Sequence, residues 1–381
     1  MRVLFVSTYP PERDGIGTYC AILAEELIKQ GHRVGVISAR ASPVPRAEVI
    51  GSLPQPPRRR PDSLLSTAQA FRPDVVHVQF AVAAFGLVTP ALLRLIDCLR
   101  GVGFPVVITM HEVTRDNESL RAVGRVLYRN VARRADRIVV HTASAQRSLE
   151  REIGTDPSLS RIIAHPRADL PSSGVRPEDL LQRFGLEGEA IVLAFGFIDV
   201  DKGLGDLISA VGRLRTRGRL DGVKVVVAGE VRRRFGPFRI FELRDRLHLL
   251  SVRWKVSRLG LDGRVLFVGF VQPDEMRPWL DAAAVAVLPY RRSEQSGVGS
   301  LAMAAGTPLL TSSVGELPTM STADPFPPAD PEALAASLDR FLSESTTRPP
   351  RASALSDVGE LVGETIELYR ELILDRQACR G

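Results

Sequence analysis

Short, unbroken runs of aliphatic and β-branched residues recur along this chain, each followed by a turn and then by a helical pattern. Arg2–Ser7 and Val34–Ile37 are the first two, and between them Thr18 to Gln30 has the apolar period of a helix that stops at Gly31. Strands apolar on both faces and joined by a helix predict a βαβ unit, hence a parallel sheet. The pattern continues through Asp74–Gln79, Val106–His111 and Asp136–Thr142, with a closing strand expected at Ile162–Pro166. Ala41 to Pro61, rich in proline and arginine, reads as a mobile loop. The Ser/Gly/Pro-rich stretch Pro171 to Pro177 reads as a hinge. A second series then begins: strand Ile191–Ile198, helix Leu204–Leu214, and strands Val223–Ala228, Val265–Val271 and Val285–Leu288. A length of 381 residues suits two such α/β domains, expected over 1–170 and 171–350, with an amphipathic helix from Ser356 to Asp375 in the remaining 351–381.

The net charge of +6 comes almost wholly from arginine, since Lys29, Lys202, Lys224 and Lys255 are the four lysines. A positive balance favours an anionic partner. Zinc-finger spacing, RRM-like aromatics and basic tails are all missing, so nucleic acid is not expected, and a nucleotide-type phosphate is the smaller anion that fits. No apolar run reaches the ~18 residues of a membrane span. Met1–Ser7 is too short an apolar run for a signal peptide, and Cys20, Cys98 and Cys379 form no disulfide or metal pattern. These features predict a cytoplasmic protein, with a peripheral place at the membrane left open.

The most informative stretch is Ala283 to Pro308. Val285–Leu288 ends at Pro289-Tyr290, a polar loop follows, and Ser296-Gly297-Val298-Gly299 opens a small-residue helix stopped by Gly306 and Pro308. Ser296 is the candidate N-cap. A helix N-terminus carries amides without intrahelical partners and the positive end of the helix dipole, so it attracts anions. Glycine there lets a phosphate approach the backbone. An ordinary strand-to-helix turn has the same appearance, and the stretch alone does not separate the two.

Ala302-Met303-Ala304-Ala305-Gly306-Thr307-Pro308 resembles the donor-binding segment of retaining glycosyltransferases of family 4, which have the GT-B fold. The resemblance extends to other loops. Asp14-Gly15-Ile16-Gly17 resembles the family's Gly-Gly-Ile loop, Val106–Glu112 its Thr-x-His-Asp strand end, and Gly196 to Gly203 its loop ending in Lys-Gly. It implies two Rossmann-like parallel-sheet domains facing a cleft, acceptor in the first and donor in the second, with the C-terminal helix crossing back to the N-terminal domain. It implies a retaining transfer of sugar from a nucleotide diphosphate sugar to a small-molecule, glycan or lipid-linked acceptor. His111 and Glu294 are then the candidate catalytic residues. Gly15, Gly17, Gly196, Lys202, Ser296, Gly297, Val298 and Gly299 are candidates for binding the donor and its phosphates, with Arg291, Arg292 and Glu230 as further candidates. Lysine at 202 would neutralise the pyrophosphate as charge develops on the leaving oxygen.

Asp199-Val-Asp201 has a spacing that holds a divalent ion in the other large glycosyltransferase fold, but it directly precedes Lys202, and the resemblance implies metal-independent catalysis. No metal and no cofactor beyond the donor substrate are expected. The pattern departs from the family at three points. Phe197 replaces a frequent arginine, so a cation is lost or comes from Arg291 or Arg292. Glu112 replaces aspartate. Leu301 and Ser293 stand at the two positions that are glutamates in the family's Glu-x7-Glu, with Glu294 beside the first. Without a carboxylate at 301 to pair the ribose hydroxyls, and unless Glu294 or Glu316 replaces it, donors with deoxyribose are expected to be tolerated. A catalytically silent donor-binding subunit and a nucleotide-sugar epimerase of the same fold are the alternative functions. His77 reads equally as a core residue, and His141 as packing or polar lining. Val231–Arg258 interleaves bases with Phe235, Phe238, Phe241 and Trp254; it reads either as a solvated helix with an aromatic core face or as a contact for an acidic surface or partner.

Overall fold

A computed structural model of the chain describes residues 1–11, 15–39, 47–53, 62–165, 174–234, 239–293, 296–344 and 358–378. The chain forms two compact units, Met1–Pro166 together with Leu355–Gly381, and Arg167–Ala354.

In the first unit the strands are β1 (Arg2–Ser7), β2 (Arg33–Ser38), β3 (Glu48–Ser52), β4 (Val75–Phe80), β5 (Val106–Met110), β6 (Arg137–Val140) and β7 (Ser160–Ile162). All pair in parallel, in the order β3-β2-β1-β4-β5-β6-β7. Every residue of β4 is buried, as a central strand covered on both faces requires. The second unit repeats the plan with β8 (Ala190–Phe195), β9 (Val223–Ala228), β10 (Val265–Gly269), β11 (Val285–Leu288) and β12 (Leu309–Thr311), parallel in the order β10-β9-β8-β11-β12. The expected pair of parallel α/β units is the observed fold.

Several boundaries move. β3 falls inside the stretch expected to be loop; it is a short edge strand paired to β2, and its sequence EVIGS holds only two adjacent apolar residues, too few to show as a run. Residues 40–46 and 54–61 around it, and 171–173 of the expected hinge, lie outside the described residues. The closing strand ends at Ile162 instead of starting there, because β7 is an edge whose residues are only partly covered. Gly15 and Gly17 lie in the first turn of the Gly15–Lys29 helix, not in the loop before it. β12 has three residues, too few to show as a run.

The C-terminal helix Val358–Ala378 belongs to the first unit. Leu361, Val362, Ile366, Leu368, Tyr369 and Leu372 join Tyr19, Cys20 and Leu23 of the Gly15–Lys29 helix in one apolar cluster against β1. Ion pairs rim that contact: Arg376 to Asp136 at 2.8 Å, Arg161 to Glu371 at 2.7 Å and Arg137 to Asp375 at 2.6 Å. Arg161, Glu371 and Asp375 are well exposed, so burial of the apolar face carries most of the docking.

In the second unit the loop after β8 approaches the end of β11 so closely that no side chain fits. Gly203 has φ +64°, and a Cβ placed there would fall 1.8 Å from the Pro289 carbonyl oxygen. Gly203→Ala is therefore expected to cost at least about 2 kcal/mol of stability. A Cβ on Gly297 meets nothing within 4 Å, so Gly297→Ala is expected to change stability by less than about 1 kcal/mol. Urea denaturation of the two variants beside the parent checks both values.

Candidate functional site

In each sheet the strand order reverses between the first and fourth strands, and the loops after those strands part at the carboxyl end of the sheet. Open α/β sheets bind ligands there. In the second unit these are the loops after β8 and β11.

The chain leaves β8 through Gly196, at φ +102°, whose N–H donates to the Ala228 carbonyl at 2.9 Å; the N–H of Ile198 donates to the Glu230 carbonyl at 2.8 Å. The Asp199 carboxylate accepts from the amides of Asp201 (2.9 Å) and Lys202 (3.1 Å), closing a single turn over Val200–Lys202. Asp199 is thus the cap of the lysine-bearing turn. Beyond β11, Ser296 caps the Gly297–Ala305 helix, its hydroxyl oxygen accepting from the Gly299 amide at 3.1 Å. The two loops meet. A Cβ on Gly196 would lie 2.7 Å from Cγ2 of Val298 and 3.4 Å from Nζ of Lys202. That ammonium lies 5.4 Å from the centroid of the buried Tyr290 ring. A fixed cation, a positive-φ glycine and the first turn of a helix therefore converge at one strand-order reversal.

Among the residues singled out by sequence, Gly196, Lys202, Ser296, Gly297 and Val298 come together here. Gly299 is buried, and a Cβ on it would lie 2.6 Å from Sδ of Met320, so close packing already accounts for the glycine. Arg291 is held in a two-point ion pair with Asp206, Nε to Oδ2 at 2.8 Å and Nη2 to Oδ1 at 2.7 Å. Arg292 is exposed, and Glu230 is partly covered. Glu294 lies outside the described residues. The cation beside Phe197 comes from elsewhere: the Arg232 guanidinium lies 4.7 Å from the centroid of that ring. Sequence reasoning missed Arg232 because its approach depends on the pairing of the segments after β8 and β9, where Ile198 bridges Val231.

His111 belongs to the first unit and follows β5, which ends at Met110; its amide donates to the Phe80 carbonyl at 3.0 Å. It sits in a chain of polar side chains. Tyr369 meets His77 Nδ1, and His77 Nε2 meets Thr109 Oγ1 at 2.7 Å. Gln79 lies between His77 (3.3 Å) and His111 Nε2 (2.8 Å). His111 Nδ1 then meets His141 Nε2 at 3.1 Å, and His141 Nδ1 reaches the Ile163 carbonyl at 2.9 Å. Tyr19 packs its ring against His111, His141 and His165 at centroid distances of 5.0 to 5.1 Å. Burial drives His77 and His141 down to about 3 and His111 well below its ordinary value, so all three are neutral at pH 7. The Ile163 carbonyl accepts from His141 Nδ1, and Gln79 Oε1 faces His111 Nε2 while the Gln79 amide nitrogen faces His77 Nε2. Both nitrogens of His111 are engaged within the protein. Beside this chain, burial and the neighbouring Glu112 charge push Asp116 up to about 7 while Tyr128 donates to it at 2.8 Å. Gly15 and Gly17 open the helix that carries Tyr19.

Comparison with known proteins covers both halves of the chain. Residues 13–166 match the model of Glycosyltransferase Family 4, and residues 189–344 match that of Glycosyl transferases group 1. A 2-deoxystreptamine N-acetyl-D-glucosaminyltransferase of Streptomyces fradiae is 26% identical over 315 residues, covering 78% of this chain and 70% of the relative. A D-inositol 3-phosphate glycosyltransferase of Streptomyces bingchenggensis is 30% identical over 56% of this chain, which spans about half (48%) of that relative's length. Among solved structures, Anabaena HepE in complex with UDP superposes with a TM-score of 0.74 at 18% identity, covering 97% of this chain and 100% of that one.

The histidine chain makes stability pH-dependent. Histidines with folded values below their unfolded value of 6.5 stabilise the neutral fold, and that contribution is lost as pH falls from about 6.5 toward 3. At pH 5 the expected loss is roughly 2 kcal/mol for each of the buried His77 and His141. Asp116, raised from 3.8 to about 7, works in the opposite sense over the upper part of that window. Urea denaturation at pH 7.5 and pH 5 is expected to show the loss, a steeper one in Asp116→Asn and a shallower one in His141→Gln.

Proposed function

Because the chain is a glycosyltransferase of the GT-B fold, we propose that it moves a sugar from a nucleotide diphosphate sugar to an acceptor hydroxyl with retention at the anomeric carbon. In this reading the second unit holds the donor and the first the acceptor. The observation that carries it is the convergence of Lys202, Gly196 and the Gly297–Ala305 helix terminus at the strand-order reversal. The bond between the anomeric carbon and the β-phosphate oxygen breaks, and its electron pair passes to that oxygen. The acceptor oxygen bonds to the same carbon, and its proton goes to the departing phosphate. Lys202 and the first-turn amides oppose the charge gathering on the phosphate, in a frame already held by Asp199 and Ser296. Arg232, stacked on Phe197, supplies the second cation. His111, the catalytic candidate of the first unit in this reading, has a neutral ring. The reaction needs no metal.

Leu301, partly buried in the Gly297–Ala305 helix, offers no acceptor to a ribose hydroxyl. The reading therefore includes tolerance of donors built on deoxyribose.

Product analysis with a panel of nucleotide sugars tests the reaction. Transfer or donor hydrolysis supports it, with the product anomer read by NMR; an isomerised donor, or binding without turnover, overturns it. Lys202→Ala is expected to weaken nucleoside diphosphate binding by about tenfold to a hundredfold with the melting transition unchanged, measured by calorimetry. In competition at the empty site, thymidine diphosphate is expected to bind within tenfold of uridine diphosphate.

A further inference from the structure

The Arg239–Arg258 helix of the second unit is apolar on the side turned away from its own domain. Its inner face buries Asp245, Val252 and Val256, and Lys255 Nζ donates to the Gly205 carbonyl (3.3 Å) and the Ser209 hydroxyl (3.0 Å) of the neighbouring Leu204–Thr216 helix. On the far side stand Ile240, Leu243, Leu247, Leu250 and Trp254, each between 57 and 67% exposed. Their spacing of three and four residues places them within an arc of roughly 80° at 3.6 residues per turn. This corrects the sequence expectation of an aromatic core face, since Trp254 lies outside the core; Phe235 and Phe238 are outside the described residues.

Charge borders the stripe on both sides. Arg239, Arg246 and Arg253 recur every seven residues along one edge, and Arg244 and Arg258 lie on the other. The helix carries six positive side chains against Glu242 and Asp245, a net +4. Arg258 lies 5.0 Å from the Trp254 ring centroid, a cation at the margin of the apolar surface.

Charge and shape decide what covers this face. A second copy laid seam to seam would set arginine against arginine along both edges. A partner helix would have only about two heptads to grip, with Trp254 at a knob position, where a coiled coil requires three or four. An anionic bilayer meets every feature. Its interfacial zone accepts apolar side chains and a tryptophan, its phosphates face the flanking arginines, and a flat helix needs no partner of matching register. Among the described residues no helix is long and apolar enough to cross a membrane.

We propose that the Arg239–Arg258 helix is a membrane-docking face, lying along an anionic lipid surface with Ile240, Leu243, Leu247, Leu250 and Trp254 among the upper acyl chains. The proposal is independent of the reaction. The chain carries its own reporter, because of its two tryptophans Trp279 is 1% exposed and Trp254 lies on the stripe. Full-length protein mixed with phosphatidylglycerol vesicles is expected to co-sediment, to shift its emission to the blue and to be quenched by brominated acyl chains. Neutral phosphatidylcholine vesicles are expected to bind at least tenfold more weakly, and high salt to weaken the anionic binding. Leu243→Ser/Leu247→Ser/Leu250→Ser, which alters only exposed positions, is expected to lower vesicle partition at least tenfold with an unchanged melting transition. Trp254→Phe is expected to abolish the quenching. The proposal fails if anionic vesicles bind no better than neutral ones, or if the triple variant partitions like the parent. It fails equally if the emission shift follows protein concentration, as for a second copy, or appears with an acidic helical peptide and not with vesicles.

Discussion

Two parallel strands that lie side by side, yet send their chains to opposite flanks of the sheet, leave a gap where their loops diverge. Everything at the candidate site in the second unit follows from that gap between β8 and β11. Backbone comes so close there that glycine is obligatory at two points: Gly203 beneath the Pro289 carbonyl, and Gly229, where a Cβ would fall 1.9 Å from the Gly196 carbonyl oxygen. With the backbone fixed that tightly, Lys202 and the helix capped by Ser296 hold their positions before any ligand arrives. A site of this kind loses little by reorganisation when charge appears on a bound phosphate.

The two units answer the same topology with opposite electrostatics. In the second, a lysine and a helix terminus make a positive, partly solvated corner. In the first, burial holds a row of histidines neutral and passes hydrogen bonds from Tyr369 through His77, Gln79 and His111 to His141. One corner suits a charged group, and the other suits hydroxyl-rich, uncharged chemistry.

What could be read from sequence divides along the same lines. Strands buried on both faces, such as Val75–Phe80 and Val285–Leu288, announce themselves as apolar runs, and Ser296 and Gly306 mark the ends of their helix by local chemistry. Edge strands and contacts made between distant segments carry no such mark. β3 was hidden for the first reason, and β12 because three residues are too few to show as a run. Arg232 over Phe197, the Asp206 grip on Arg291 and the Tyr369–His77 link were hidden for the second, because each depends on which strands become neighbours. The Arg239–Arg258 helix shows a third case. Its inner and outer faces are both apolar in part, so periodicity alone does not say which one the domain covers.

The Val358–Ala378 helix completes the apolar cluster around Tyr19 and β1, although about two hundred residues separate it from the rest of its unit. The second unit, by contrast, is one continuous segment. During synthesis the inner unit thus has all its parts as soon as it emerges, while the outer one lacks part of the cover over Tyr19, Leu23 and His77 until the Val358–Ala378 helix leaves the ribosome. The unit whose synthesis starts first is accordingly the one whose apolar cluster is completed later.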